Sequence, residues 1–498
     1  MSLFTTLPGA LGLVLREANP WWQNNPLVNV PEKKRWPFET LYRRLTHGLA
    51  PITVLRGPRQ IGKTTLLNQM VLSLLKSEVD PTRIFRVQFD ELLSFQSLKM
   101  ANKAEPVLEM VHWYSESILG MDLDRALAGG PVFLLLDEVQ NLPNWAPQLK
   151  YLVDIHQGLR VLVTGSSALR IEAGRDSLAG RIQTLDIGPL VLREIAEWRF
   201  GTSLPQMLKN GATPLKEKSF WLDLLHLGEQ HKDERDQAYL AFSERGGYPA
   251  AQTHPDQSWE EVAGFLTETV IKRAIQHDLR FGVRGKKRDE HLLEEVFRLA
   301  CRYAGQAPTP SNCAEQLRST MGANVGVQLV RSYFKFLDGT LLLRMIEPLE
   351  LRLKKRKGHP KICLCDHALR AAWLREVIPL DPAALKEAPH LSDLAGRIAE
   401  STAGYFLRSL TGLDIAHFPG RGNEPEVDFV LTIGEQRIPV EIKYRRRIDY
   451  ADTHGLRSFI EKSVNNAPFG ILVTLEDGHG TDDPRIISLP LSTMLLMR

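Results

Sequence analysis

The chain has 498 residues, 43% of them hydrophobic and 24% charged, which supplies apolar side chains for about three packed domains and excludes a disordered polypeptide. Its 62 lysines and arginines against 59 aspartates and glutamates leave a formal charge of +3, so contact with nucleic acid has to come from local basic patches and not from a global field. Four cysteines (Cys301, Cys313, Cys363, Cys365) exclude dependence on a disulfide framework, and no run of about 18 apolar residues is present to cross a bilayer.

The short apolar run Leu11 to Leu15 has no basic residues ahead of it and leads into Arg16-Glu17, so no secretory leader, no membrane partner and a cytoplasmic location are expected. Next, Ile52, Thr53, Val54 and Leu55 read as a buried strand. The strand enters Gly57-Pro58-Arg59-Gln60-Ile61-Gly62-Lys63-Thr64-Thr65, a complete G-x-x-x-x-G-K-[ST] loop. Leu66, Leu67, Met70, Val71, Leu74 and Leu75 continue it as an amphipathic helix. Phosphates of ATP are thereby expected at a helix N-terminus, with Lys63 on the β/γ-phosphates and the Thr64 hydroxyl on Mg²⁺.

Val132 to Leu136 forms a second apolar strand ending in Asp137-Glu138, a Walker B pattern in which Asp137 completes the Mg²⁺ shell and Glu138 polarises the attacking water. A third strand, Val161 to Thr164, runs into Gly165-Ser166-Ser167, where Ser166 or Ser167 reads as a sensor of the γ-phosphate or as a helix N-cap. Beyond it, Arg181, with Arg175 as the competing candidate, is placed to supply transition-state charge to a neighbouring subunit, which implies a homo-oligomer, either a ring or a transient assembly.

Residues 191 to 280 show helical spacing broken at Asn210-Gly211 and Gly246-Gly247 and read as a lid. From Asp289 onward, helix, turn, helix and hairpin describe a winged helix whose tip carries Lys354-Lys355-Arg356-Lys357. Arg284, Lys286, Lys287 and Arg288 form a second basic patch and Arg445-Arg446-Arg447 a third; together they favour DNA, structured or double-stranded, as partner, against the alternative of solvated charge runs. Cys363 and Cys365 fall in an apparent strand, Lys361 to Cys365, and read as core thiols.

In the last third, a helix opening at Gly396 carries Glu400, a strand carries Asp428, and its hairpin partner carries Glu441 and Lys443 on one face. Two carboxylates sharing a divalent cation beside a lysine suit metal-assisted phosphodiester hydrolysis, with Asp428 and Glu441 as ligands of Mg²⁺ or Mn²⁺. The same E-x-K pattern also reads as a cross-strand salt pair. Helix with Glu, strand with Asp and strand with Glu-x-Lys is the order of the PD-(D/E)xK nuclease fold.

Taken together, Asn19-Pro20-Trp21-Trp22, Gly57 through Thr65, Leu136-Asp137-Glu138, Thr164-Gly165-Ser166-Ser167, Leu178-Ala179-Gly180-Arg181, Gly246-Gly247-Tyr248-Pro249, Glu426-Val427-Asp428-Phe429 and Pro439 to Lys443 resemble a prokaryotic family of AAA-type ATPases with a C-terminal domain of the DUF4143 type. The resemblance implies an α/β multidomain protein: an N-terminal segment (1–40), a P-loop ATPase core (41–190), a helical lid (191–285), a winged helix (286–378) and a PD-(D/E)xK-like domain (390–498). It implies ATP hydrolysis coupled to DNA processing, with cutting at the C-terminal domain; the alternative is a nucleotide-controlled switch whose C-terminal domain only binds. Gln60 stands where the family often has a second arginine.

Overall fold

Strand β1 (Ile52–Arg56) lies inside a parallel sheet of five strands, in the order β2-β3-β4-β1-β5, with β2 Ile84–Gln88, β3 Val132–Asp137, β4 Leu159–Gly165 and β5 Ile182–Asp186. The computed structural model describes residues 9–92, 105–142, 144–166, 178–209, 211–279, 289–322, 324–351, 354–355 and 357–498, in two compact units divided between Ile187 and Gly188. In the first unit β1, β3 and β4 are nearly continuous apolar runs, as strands covered on both faces must be. Leu66, Leu67, Met70 and Leu74 of helix α3 (Lys63–Lys76) are buried, as their spacing predicts. Because all five strands are parallel, the loops after β1, β3 and β4 emerge at one edge of the sheet, where ligands of open α/β sheets bind.

Edge strand β2 is covered by the Asn-Pro-Trp-Trp segment. Asn19 donates to the carbonyls of Leu15 (2.7 Å) and Arg86 (2.9 Å) and accepts from the Arg86 N–H (2.7 Å), pairing as a neighbouring strand would. The indole N–H groups of Trp21 and Trp22 both donate to the Ile84 carbonyl, at 3.0 and 2.9 Å.

A mixed sheet in the order β10-β11-β12-β13-β14 dominates the second unit, with β10 Asp414–Phe418, β11 Val427–Ile433, β12 Gln436–Lys443, β13 Gly470–Thr474 and β14 Ile486–Pro490. Strands β10, β11 and β12 are antiparallel neighbours, and β12, β13 and β14 are parallel, with the His454–Glu461 helix in the β12-to-β13 crossover. The helix Ser392–Arg408 lies against the sheet. The segment expected as a lid is helical and shares this core: Trp221, Leu224 and Tyr239 belong to the same buried cluster as Leu489, Leu491 and Met494.

Helices Glu290–Arg302, Pro310–Met321 and Val327–Gly339 precede a ribbon of β6 (Leu343–Ile346), β7 (Glu350–Leu351), β8 (Lys354–Lys355) and β9 (Lys361–Leu364). Strand β6 pairs with β9 and β7 with β8, both antiparallel. The ribbon is fixed to the C-terminal sheet by Leu349 N–H donating to the His417 carbonyl (2.8 Å) and His417 N–H to the Glu347 carbonyl (3.0 Å). Among the described residues, no helix is long and apolar enough to cross a membrane.

Candidate nucleotide and carboxylate sites

The loop between β1 and α3 is shaped by its glycines. At Gly57 a Cβ would stand 2.4 Å from the Ile187 carbonyl, and Gly62 has φ +88°, a conformation side chains disfavour. Gln60 also has positive φ (62°), a conformation uncommon for a residue with a side chain, which the surrounding loop imposes. Lys63 is buried and donates to the loop carbonyls of Gly57 (3.2 Å) and Pro58 (2.9 Å), while its ammonium stands 3.4 Å from Glu138. Arg35, which sequence reasoning did not single out, donates to the Ile61 carbonyl at 2.6 Å and braces the loop from outside.

Asp137 at the tip of β3 is fully buried. It accepts from Thr64 at 2.6 Å and, through its other oxygen, from the Thr164 hydroxyl. Burial, and next the Glu138 charge, raise Asp137 above the usual carboxylate range, against the pull of the two threonines and Lys63. Burial works the same way on Glu138, but Lys63, Arg59 and hydrogen bonds from Gln140 and Ser166 outweigh it and hold that carboxyl below its ordinary value. Glu138 therefore stays ionised at neutral pH, the state a group that polarises water needs. Its backbone is left-handed (φ 53°), and its N–H donates to Thr164 Oγ1 at 3.1 Å. Strain of this kind persists where the surroundings impose it, and here β4 does so.

Ser166 donates to Glu138 Oε2 at 3.1 Å, which places it beside the acid that would act on water. Ser167 and Arg175 lie outside the described residues. Arg181 precedes β5, beside the start of β1 at the sheet edge opposite the loop, where it is ion-paired with Asp154 and donates to Ala179. That position cannot serve the nucleotide of its own chain. Sequence reasoning assigned no role to Thr164, Gln140 or Arg35: Thr164 figures there only as the end of the third strand, in Thr164-Gly165-Ser166-Ser167, and Gln140 and Arg35 stand in no motif.

The residues present fit ATP and Mg²⁺: a glycine cradle, a lysine inside it, and a Thr64–Asp137 pair whose oxygens suit a hard cation. Bound Mg²⁺ would neutralise charge developing on the β/γ-oxygens. Lys63 would exchange its carbonyl partners for phosphate, and Glu138 would hold and orient the water.

In the second unit Glu400, Asp428, Glu441 and Lys443 meet as the motif order predicts, but the arrangement corrects the expected metal centre. Antiparallel pairing sets Asp428 beside β12, where its Oδ2 accepts from the Ile442 N–H at 2.8 Å. Glu441 turns to Lys443 at 2.5 Å. Into the remaining space comes Lys361 from β9, only 2% exposed. Its ammonium contacts Glu400 and lies 3.2 Å from Asp428 and 3.5 Å from Glu426. Burial works to strip its proton, yet Asp428, Glu400 and Glu426 hold it charged well above the usual lysine range. Asp428 is held below its ordinary value: burial opposes, and Lys361 and the Ile442 N–H prevail. Burial and the Asp428 charge push Glu400 well up and Glu441 up to about 8.

Among the described residues no group of three or more His, Cys, Asp or Glu side chains is set to hold a metal ion. Asp428 and Glu441 thus do not fit a shared Mg²⁺ or Mn²⁺ in this arrangement, because a lysine already supplies the positive charge, and no hydrolytic step is derived through one. Of the basic patches, Arg445 pairs with Asp452 and Arg446 lies 3.6 Å from Glu476, while Arg284, Lys286, Lys287, Arg288 and Arg356 lie outside the described residues. All four cysteines are buried thiols.

A parallel sheet whose strand tips carry a G-x-x-x-x-G-K-T loop, an Asp-Glu pair and a polar third strand defines a P-loop ATPase of the AAA type. Residues 50–196 match the AAA domain family, residues 237–377 a domain of unknown function (DUF8612), and residues 396–493 a domain of unknown function (DUF4143), so the chain carries an AAA domain followed by a C-terminal DUF4143 domain. It is 24% identical over 379 residues to uncharacterized proteins of Mycobacterium bovis and Mycobacterium tuberculosis, covering 74% of this chain and 64% of each of theirs. The chain therefore spans less than two thirds of the length of these relatives. Solved structures similar to it include the Walker-type ATPase PABY2304 of Pyrococcus abyssi (13% identity, TM-score 0.40, 71% of this chain and 99% of that one) and Cdc6p from Pyrobaculum aerophilum (15% identity, TM-score 0.25, 70% and 96%).

Proposed function

We propose that the protein hydrolyses ATP and uses the cycle to act on DNA, with the three-helix and ribbon segment serving as a winged helix and the C-terminal domain as a nuclease-like module. The observation that carries the ATPase part is the network joining Lys63, Thr64, Asp137, Glu138, Thr164 and Ser166, every member on a strand tip or the loop it feeds. The DNA part is supported by basic residues on the β7–β8 hairpin (Lys354, Lys355) and at Arg446 and Arg447. In this reading Arg181 would act across a subunit interface, since it lies away from its own loop, and the working form would be a homo-oligomer in the cytoplasm.

Lys361 favours a second reading of the C-terminal domain, in which it binds DNA or a protein partner without cutting while ATP controls its pose. ATP hydrolysis measured with linear, forked and four-way DNA, alongside cleavage of the same end-labelled substrates in Mg²⁺ or Mn²⁺, decides between them. Stimulation with cleavage that Lys443→Ala abolishes supports the motor-linked nuclease; stimulation without cleavage supports the binding module. Absence of any DNA effect contradicts the DNA reading altogether.

A further inference from the structure

The carboxylate cluster of the second unit is reached by a side chain that none of its own motif residues announces. Strand β9 (Lys361–Leu364) pairs with β6 (Leu343–Ile346) and is locked against the Ser392–Arg408 helix: Leu364 N–H donates to Ser401 Oγ at 2.9 Å, and a Cβ on Gly404 would stand 2.5 Å from Cys363 Sγ. Alternation along a strand puts Lys361 and Cys363 on one face. That face looks onto the helix and β11, so the lysine enters the cluster between Glu400 of the helix and Glu426 and Asp428 of the β11 side. Its ammonium also donates to the Asp428 carbonyl (3.4 Å) and lies 5.1 Å from the Phe429 ring centroid. A buried cation with this many oxygen partners is fully compensated.

We propose that Lys361 is the resident cation of this site. Its ammonium takes the position that a divalent ion would hold and keeps such an ion out of the cluster. Two observations point to a place that still has ligand capacity. Glu441 Oε2 is a buried carboxylate oxygen with no hydrogen-bond partner, and the carboxylates of Glu400, Asp428 and Glu426 all converge on one ammonium, as hard oxygen ligands converge on a cation. This inference draws on the nuclease-like reading only for the choice of cation; metal binding to the cluster is read directly, whether or not DNA is cut.

The test is titration of Mn²⁺ into the full, nucleotide-free chain, following free Mn²⁺ by electron paramagnetic resonance. Wild type and Asp428→Asn are expected to bind alike, because no Mn²⁺ enters the cluster while the lysine is present. Lys361→Met should gain one Mn²⁺ per chain, at least about tenfold tighter than any wild-type binding, and the gain should vanish in Lys361→Met/Asp428→Asn. Lys361→Arg keeps the charge and should gain nothing. A wild-type Mn²⁺ site that Asp428→Asn removes overturns the proposal, as does a folded Lys361→Met protein that gains none. Should Lys361→Met fail to fold, Lys361→Gln, which also removes the charge, carries the same comparison with its Asp428→Asn double variant.

Discussion

Thr164 shows how much of the nucleotide site rests on a residue outside the phosphate loop and the Asp-Glu pair. Its hydroxyl donates to Asp137 and accepts the Glu138 N–H, so it sets the positions of both acids from the neighbouring strand. Thr164→Val keeps the shape and leaves a buried carboxylate oxygen short of a partner, a loss of about 1–3 kcal/mol. Steady-state kinetics should show kcat falling by about tenfold or more with KM for ATP changed less than about threefold, since the residue holds acids and not phosphates. A matched fall in apparent affinity would instead mean that Thr164 shapes the binding loop.

Glu441 supplies a pH prediction. Its carboxyl, pushed up to about 8 by burial and by Asp428, carries a raised value in the folded chain, so its contribution to stability is complete below the ordinary glutamate range and is lost as pH rises through about 8. Melting of the second unit between pH 5 and 9 should therefore weaken with rising pH, by at most about 1.4 kcal/mol per pH unit for one proton, and Glu441→Gln should flatten the slope. Asp428, held low, works in the opposite sense and only below the ordinary aspartate range. At this scale the sequence was legible wherever a motif fixes spacing, as at Lys63, Thr64, Asp137 and Glu138. It was not legible at Lys361, which reaches Glu400 across 39 residues of chain by way of a strand that looked only like a core element.

Among the elements, the Ser392–Arg408 helix shows packing overriding propensity. Glycine inside a helix ordinarily costs up to about 1 kcal/mol relative to alanine, so Gly404→Ala should stabilise the helix in isolation. In the folded chain the added Cβ would stand 2.5 Å from Cys363 Sγ and 2.7 Å from the Phe429 ring. Gly404→Ala should thus destabilise the second unit by about 1–3 kcal/mol in denaturant unfolding, and an increase in stability would show that β9 can shift aside. At the other end of the chain, Asn19→Ala removes three hydrogen bonds, two of them to Arg86 on the β2 edge, and should lower the midpoint of the first unit by the equivalent of about 2 kcal/mol.

The strands and the amphipathic helix α3 (Lys63–Lys76) were readable from apolar runs and periodicity, because their burial is dictated locally. The placement of residues 192–245 was not: their helical spacing says that one face is buried but not that Leu489, Leu491 and Met494 bury it. Contacts made across more than 200 residues of sequence leave no periodic trace.

At the scale of the whole molecule, the two units divide the chemistry. The first holds the glycine loop, lysine and paired acids of a nucleotide site; the second holds a carboxylate cluster closed by an internal ammonium. If Arg181 completes the site of a neighbouring copy, Arg181→Ala should leave ATP affinity unchanged and reduce kcat by about 10³-fold or more, and mixing it with Glu138→Gln protein should restore activity in assemblies that pair an intact Arg181 with an intact Glu138.

Any ATP-driven role of this chain depends first on the nucleotide site turning over. Mg²⁺-dependent ATP hydrolysis by the full chain, with binding measured in parallel for wild type, Lys63→Ala and Glu138→Gln, tests this most directly. Wild type should hydrolyse ATP, Lys63→Ala should lose tight ATP binding by at least about 100-fold, and Glu138→Gln should retain binding with turnover below about 1%. Equal hydrolysis in all three proteins would rule out Lys63 and Glu138 as the binding and water-activating groups.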